Sequence, residues 1–395
     1  MSRLVINIRD FGALGDGVCD DTAALQAAID EGARTGCAVY IPPGRYRVGE
    51  LKLHPGGTLR AEPQWGFHYH TIGSAVLIQR SDSQRCILDL SDANGAELDG
   101  LSLTGEGRPG GCCGILCDKP AFGKIEDAFR IERCRVSAFS GHAVYLNRVW
   151  CFTLRHNMFC FSKGDGLRVH GWDAFISDNW LSGNEGAGFQ SEGDNCSVTM
   201  TGNRIEWNQG GGIIIEGGSH YNLTGNYIDR SGKAGIAVLP AVVCDDDTGQ
   251  TEPRISNTIT MTGNIVYRSG KCAQSDEESC HLHLKGCAGV TVVGNSFCIG
   301  RDDKGKGEYS PNCGLLLENL TECVVSGNTL FSGALKTLLE DRGGHINTVI
   351  RDNVGSLFPQ EALCSPKAAL PTNLILDYRQ ELLRCFSAGP NAPRP

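Results

Sequence analysis

Between Asn157 and Asn226, polar and apolar positions recur in register. The segments NMFCFSKGDGLRVHG, NWLSGNEGAGFQSEG, NRIEWNQGGGIIIEG and NYIDRSGKAGIAVLP start at Asn157, Asn179, Asn203 and Asn226, at spacings of 22, 24 and 23 residues. Nine residues after each asparagine stands a glycine (Gly166, Gly188, Gly212, Gly235), followed by apolar side chains in alternation. Alternation with a period of two marks a strand with one buried face. Its return every 20 to 25 residues or so marks one coil of a parallel β solenoid, and the pattern predicts one short strand pair per coil. Equal positions in successive coils then lie roughly 4.8 Å apart, so the chain can be read as columns. Leu167, Val169, Phe189, Ile213 and Ile215 fall on the inward face, and the residues between them on the outward one.

The same alternation predicts earlier coils at 98–107 (LDGLSLTGEG) and 129–146 (FRIERCRVSAFSGHAVYL), and the array runs to about Val354. Segments 240–257, 271–280 and 301–312 lengthen the later coils, and such insertions wall binding clefts in solenoids. Residues 4–50 read as a strand, a glycine turn, a helix and a strand. Asp20, Asp21 and Thr22 supply the helix start, and Leu25, Ala28 and Ile29 its apolar face. Three regions follow: a cap over 1–50, a catalytic β-helix over 51–355, and a tail over 356–395 that packs on the helix or in a subunit interface.

DFGALGDGVCDDTAALQAAID followed by IPPGRYRV resembles the N-terminal signature of the pectate-lyase-like superfamily. The resemblance implies an all-β, right-handed parallel β-helix whose open end is covered by the capping helix. It speaks to the fold more than to the chemistry, because the motif belongs to the cap.

Glycine, at 52 of 395 residues, suits a chain that turns several corners per coil, where positive φ is needed repeatedly. A net charge of −9 without a basic block argues against a nucleic-acid partner. No segment is long and apolar enough to span a membrane. The N-terminus has no secretory h-region, so cytoplasmic residence is the expectation. The 19 cysteines lack CxxC spacing and read as free thiols filling the core.

The recurring asparagines read as a structural ladder. Three residues after each, the column runs Cys160, Ser182, Glu206, Asp229, Tyr267, Cys298. Glu206 and Asp229 are thus neighbours, and repulsion between two stacked carboxylates raises one pKa, as a general acid requires. Arg230 and Trp207 stand beside them. A second column holds His170, Glu192 and Glu216, and two residues earlier Arg168, Gln190 and His283. Acids for chemistry with His and Arg for orientation resemble a sugar site, and Glu185 and Asp165 join from the turns. Trp172, Trp180 and Trp207 offer faces for sugar rings. His281 with His283, and His68 with His70, lack a third metal ligand, and the Asp245–Asp247 run reads as solvated, so no metal and no cofactor is expected.

Polygalacturonase motifs and the Asp-Pro-His of alginate epimerases are absent. The short coils followed by long-looped ones resemble the inulin fructotransferase and difructose anhydride hydrolase family, and the segment Glu185–Glu192 is similar to its acidic segment. The residues point first to a glycoside hydrolase on oligosaccharide, with Glu206 and Asp229 as acid and partner and Glu192 and Glu216 as the competing pair. Elimination, fructosyl transfer and non-catalytic glycan binding stay open. Trimeric packing is the expectation for a β-helix of this kind.

Overall fold

The computed structural model describes residues 5–66, 73–244, 249–270, 273, 275, 277–299, 310–358 and 372–374. They fall into two compact units, Met1–Gln190 with Ser197–Thr199, and Ser191–Cys196 with Met200–Pro395.

In the first unit the helix Thr22–Thr35 buries Leu25, Ala28, Ile29 and Gly32, as its spacing predicts. The rest is almost entirely parallel strand. Ser102–Thr104, Arg135–Ser137, Met158–Cys160 and Trp180–Ser182 form one ladder. Cys86–Asp89, Cys113–Asp118, Val144–Arg155 and Leu167–Ser177 form a second. Glu97–Asp99, Arg130–Glu132 and the far half of Val144–Arg155 form a third. Each coil therefore carries three strands rather than the expected pair. The third lies in runs such as FTLR and AFIS, just before each asparagine, which the strand-pair pattern does not include. Leu103, Ile115, Ile131, Val136, Val144, Leu146, Phe159 and Leu167 fill the interior, each wholly buried.

The second unit repeats the plan. Its ladders run through Arg204–Glu206, Tyr227–Asp229, Ile265–Tyr267 and Ser296–Cys298; through Ile213–Glu216, Ile236–Leu239, Cys280–Lys285 and Cys313–Glu318; and through Ser219–Thr224, Asn257–Thr262, Ala288–Val293 and Val324–Ser326. The first predicted insertion is an antiparallel hairpin, Ala241–Cys244 with Thr251–Arg254. Insertion 271–280 is described in part, and insertion 301–312 and the tail fall largely outside the described residues.

Asparagines hold the corners. Asn157 Oδ1 accepts the Cys134 N–H at 2.9 Å, and Asn179 Oδ1 accepts the Asn157 N–H at 3.0 Å. In the second unit Asn264 Oδ1 accepts both the N–H and the side-chain amide of Asn226, each at 3.0 Å, while its own amide donates to Leu223 O and Asn295 Oδ1 at 2.8 and 2.9 Å. The residue before the asparagine takes the left-handed conformation, as Gly225 does at φ 63°. The glycine nine residues on has a different reason: a Cβ on Gly212 would lie 2.3 Å from Gly235 O. Close approach of coils, and not positive φ, fixes that column.

The thiols are mixed: among the described residues all are free, and most are buried, but Cys19 and Cys244 are exposed.

Replacing Asn264 with alanine strips several buried groups of their partners, which costs about 3 to 5 kcal/mol in denaturant titration. His281 is wholly buried, and burial pushes its pKa down to about 3. The unfolded chain takes up a proton below its ordinary value while the folded chain does not, so this group removes stability as pH falls from about 6.5 toward about 3. Urea unfolding at about pH 7 and about pH 5 should show the loss, at up to about 1.4 kcal/mol per pH unit, and His281→Met should reduce it.

Candidate functional site

The first unit carries a polar row that the asparagine search passes over. Cys134 stands where later coils have asparagine, and its strand pairs with Met158–Cys160 in the same register. Counted from Cys134, the equivalents of Arg168 and His170 are Tyr145 and Asn147. The backbone agrees: Tyr145 is the partner of Arg168, and Asn147 of His170. One coil earlier Leu116 and Asp118 pair with Tyr145 and Asn147. Alternation buries Val144, Leu146, Leu167 and Val169 and leaves Tyr145, Arg168 and His170 half-exposed on the other face.

Hydrogen bonds tie this face together. Asn147 Nδ2 donates to Asp118 Oδ1 at 2.8 Å, and Asn147 Oδ1 lies 3.1 Å from His170 Nδ1. Asp165 is buried in the turn before the strand. Its Oδ1 accepts the Ala187 N–H at 2.7 Å, and its Oδ2 accepts from Arg168 Nη1 at 3.1 Å. Burial works against the ionised Asp165 carboxyl, but His142, the Ala187 N–H and Arg168 outweigh it and hold its pKa below the usual carboxylate range. Asp165 is therefore a support for Arg168. The Phe122 ring stacks on Trp172 at 4.0 Å and meets the His170 ring edge-on at 5.3 Å. A part-buried Lys119–Asp127 ion pair at 2.7 Å closes the loop that carries Phe122, and Asp127 Oδ2 accepts the Trp150 N–H at 2.9 Å. The face thus presents a phenol, an imidazole and a guanidinium, with the Phe122–Trp172 stack beside the imidazole. Glu185 is exposed and Gln190 half-buried in this unit.

The second unit brings Glu206 and Asp229 side by side as backbone partners, as the column predicts. Both are buried, Glu206 8% and Asp229 2% exposed. Arg268 grips Asp229 with Nε and Nη2 at 3.0 and 2.7 Å, and Arg230 Nη1 adds a contact at 2.5 Å. Arg204 Nε reaches Glu206 Oε1 at 2.5 Å. The Asp229 pKa is raised, but the cause is burial, partly offset by Arg268 and Arg230; repulsion from Glu206 is the smallest contribution. The expected cause therefore gives way to desolvation. Trp207 is 44% exposed, yet the Arg230 guanidinium covers a ring face at 3.9 Å.

Glu192 and Glu216 are half-buried, and the Glu216 N–H donates to Ser191 Oγ at 2.9 Å. Beyond Glu216 their column turns apolar at Leu239. His283, expected to face substrate, is instead buried, because its backbone partners Ala237 and Leu316 make that column an apolar cluster with Cys280 and Cys313. Burial pushes its pKa down. Among the described residues no group of three or more His, Cys, Asp or Glu is placed to hold a metal ion. His68, His70 and Asp245–Asp247 lie outside the described residues.

Sequence reasoning missed Tyr145, Asn147, Asp118, His142 and Phe122. The alternation of HAVYLN against LRVH was readable, but Cys134 broke the asparagine register that would have aligned them.

Residues 5–59 match the family model described as rhamnogalacturonase A/epimerase, pectate lyase-like, and residues 122–241 the right-handed β-helix region. The chain folds as a right-handed parallel β-helix, and the segment matched at its N-terminal end is pectate-lyase-like. Mannuronan C5-epimerase AlgE5 of Azotobacter vinelandii is 27% identical over 249 residues, 54% of this chain and 23% of that protein. The chain thus spans about a quarter of the length of such relatives. Alginate lyase 7 of the same organism is 58% identical over 43 residues, 11% of this chain and 5% of that protein. Among solved structures, the A-module of mannuronan C-5 epimerase AlgE4 of Azotobacter vinelandii superposes with a TM-score of 0.66 at 20% identity, over 89% of this chain and 98% of that one. DFA-IIIase from Arthrobacter chlorophenolicus A6 in complex with GF2 gives 0.61 at 13%, over 90% and 92%. The missing Asp-Pro-His motif had set alginate epimerases aside, yet they stand among the relatives found.

Arg268→Met should cost about 3 to 5 kcal/mol, because it leaves the Asp229 charge buried with one partner fewer. Thermal and denaturant unfolding of the two proteins, compared side by side, measure this.

Proposed function

We propose that this chain is a carbohydrate-active enzyme that takes a proton from the sugar carbon next to a carboxylate in a uronate-containing polysaccharide. The carrying observation is the row of Tyr145, Arg168 and His170 on adjacent strands of one face. Arg168, oriented by Asp165, pairs with the sugar carboxylate and takes up the charge that moves onto it in the transition state. His170 and Tyr145 are the proton acceptor and donor. The C5–H electrons move into the C5–C6 enolate. Elimination follows if they then form a C4=C5 bond while the C4–O bond breaks and the leaving oxygen takes a proton. Epimerisation follows if C5 regains a proton on the opposite face. Both endings share the first step, so similarity to C5-epimerases and to an alginate lyase supports the class while leaving the ending open.

Glycoside hydrolysis by Glu206 and Asp229 is the second reading, favoured by their adjacency and by the raised Asp229 pKa. Against it stand two nearly inaccessible carboxylates, each held by guanidinium groups.

Incubation with poly-mannuronate in deuterated water separates these. Exchange at C5 with no chain cleavage is expected of an epimerase, and a new unsaturated end absorbing in the ultraviolet of a lyase. Cleavage with uptake of water and no exchange would transfer the function to the carboxylate pair. Arg168→Ala, Tyr145→Phe and His170→Gln should each lower kcat/KM by about a hundredfold or more, while Glu206→Gln stays within a few-fold of the parent.

A further inference from the structure

We infer that Asp118 and Asn147 form a positioning pair that decides which nitrogen of the neutral His170 ring carries the proton; its use in catalysis rests on the uronate reading above. The three residues lie in one row of successive strands, because Asp118 is the backbone partner of Asn147 and Asn147 of His170. An ionised carboxylate only accepts hydrogen bonds, so the 2.8 Å contact to Asp118 Oδ1 settles which end of the Asn147 amide points toward it. The opposite rotation would set two oxygens against each other. The amide oxygen of Asn147 therefore faces His170 Nδ1 at 3.1 Å, and Nδ1 must carry a proton there. In the neutral ring the lone pair then sits on Nε2, which accepts rather than donates.

Packing supports the same assignment. Asn147 is only 9% exposed, and Phe122 stands edge-on to the imidazole at an interplanar angle of 82°, so the ring has little freedom to turn over. A neutral amide placed between carboxylate and ring hands on orientation without setting a second charge against the imidazole. Neither Asp118 nor Asn147 has to touch the sugar to act in this way.

Long-range nitrogen–proton NMR on the full chain reads the tautomer of His170 while its ring is neutral, with His170→Gln identifying the signal. The native protein should hold Nδ1–H over Nε2–H by about fivefold or more. Asn147→Leu and the exposed-site variant Asp118→Ala should both lose that preference, and Asn147→Asp, which still accepts from Nδ1, should restore it. A native ring protonated at Nε2, or a preference unchanged in Asn147→Leu and Asp118→Ala, overturns the inference. On poly-mannuronate, Asp118→Ala should lower kcat about tenfold with KM unchanged. Absence of any turnover by the native chain counts against the uronate reading alone, since the tautomer is measured without substrate.

Discussion

Parallel coils stay in register only if the backbone groups at their corners find partners, and here the asparagine side chain supplies them. Each amide accepts an N–H from the preceding coil and donates onward to the next, so a buried corner carries a chain of satisfied groups where a bare turn would leave orphans. That one device sets the coil-to-coil offset. Every column, and with it every juxtaposition of functional side chains within a unit, inherits its geometry from the offset. Where Cys134 replaces the asparagine, the Asn157 amide still reaches back to its N–H, which is why the row holding Tyr145 and Asn147 keeps step with Arg168 and His170.

The two polar clusters show how one scaffold spends charge differently. In the second unit, buried carboxylates are held by guanidiniums that lie over aromatic rings: Arg230 on Trp207, Arg268 on Tyr267 and the more exposed Arg204 on Tyr227, at 3.9, 3.8 and 4.5 Å. Trp207, Arg230 and Arg268 also share a corner position at positive φ, a conformation that side-chain-bearing residues adopt at a cost. Mutual stacking and ion pairing offset that cost, so this cluster is a clasp for the corner. In the first unit Tyr145, Arg168 and His170 are oriented by neighbours and remain half-exposed. Groups that are oriented yet accessible can do chemistry on a ligand; groups that are oriented and enclosed mainly hold the fold.

Much of the architecture was legible because it is local. Alternating Leu, Val and Ile declare the strands, the asparagine period declares the coil, and the DFGALGDG segment declares the cap. The third strand of each coil is not in the repeat as aligned, because the segments counted from each asparagine end before its alternation begins. The site was less legible. Columns counted from Asn157 found Arg168 and His170 but stopped one coil short of Tyr145 and Asn147. Arg268, in turn, lies 39 residues beyond Asp229 in sequence, since the hairpin insertion intervenes, and nothing in local spacing announces their contact.

The amino-acid sequence by itself determined the period, the inward faces and the adjacency of Glu206 with Asp229, because hydrophobic alternation and corner chemistry act over a few residues. Tertiary structure alone decided which polar columns stay open and which are sealed. Accessibility depends on what packs across a column from distant parts of the chain: Ala237 and Leu316 bury His283, while Asp118 and Asn147 leave His170 oriented at the surface. A residue's type sets what chemistry it can perform, but burial and the partners it is given set whether that chemistry reaches a substrate.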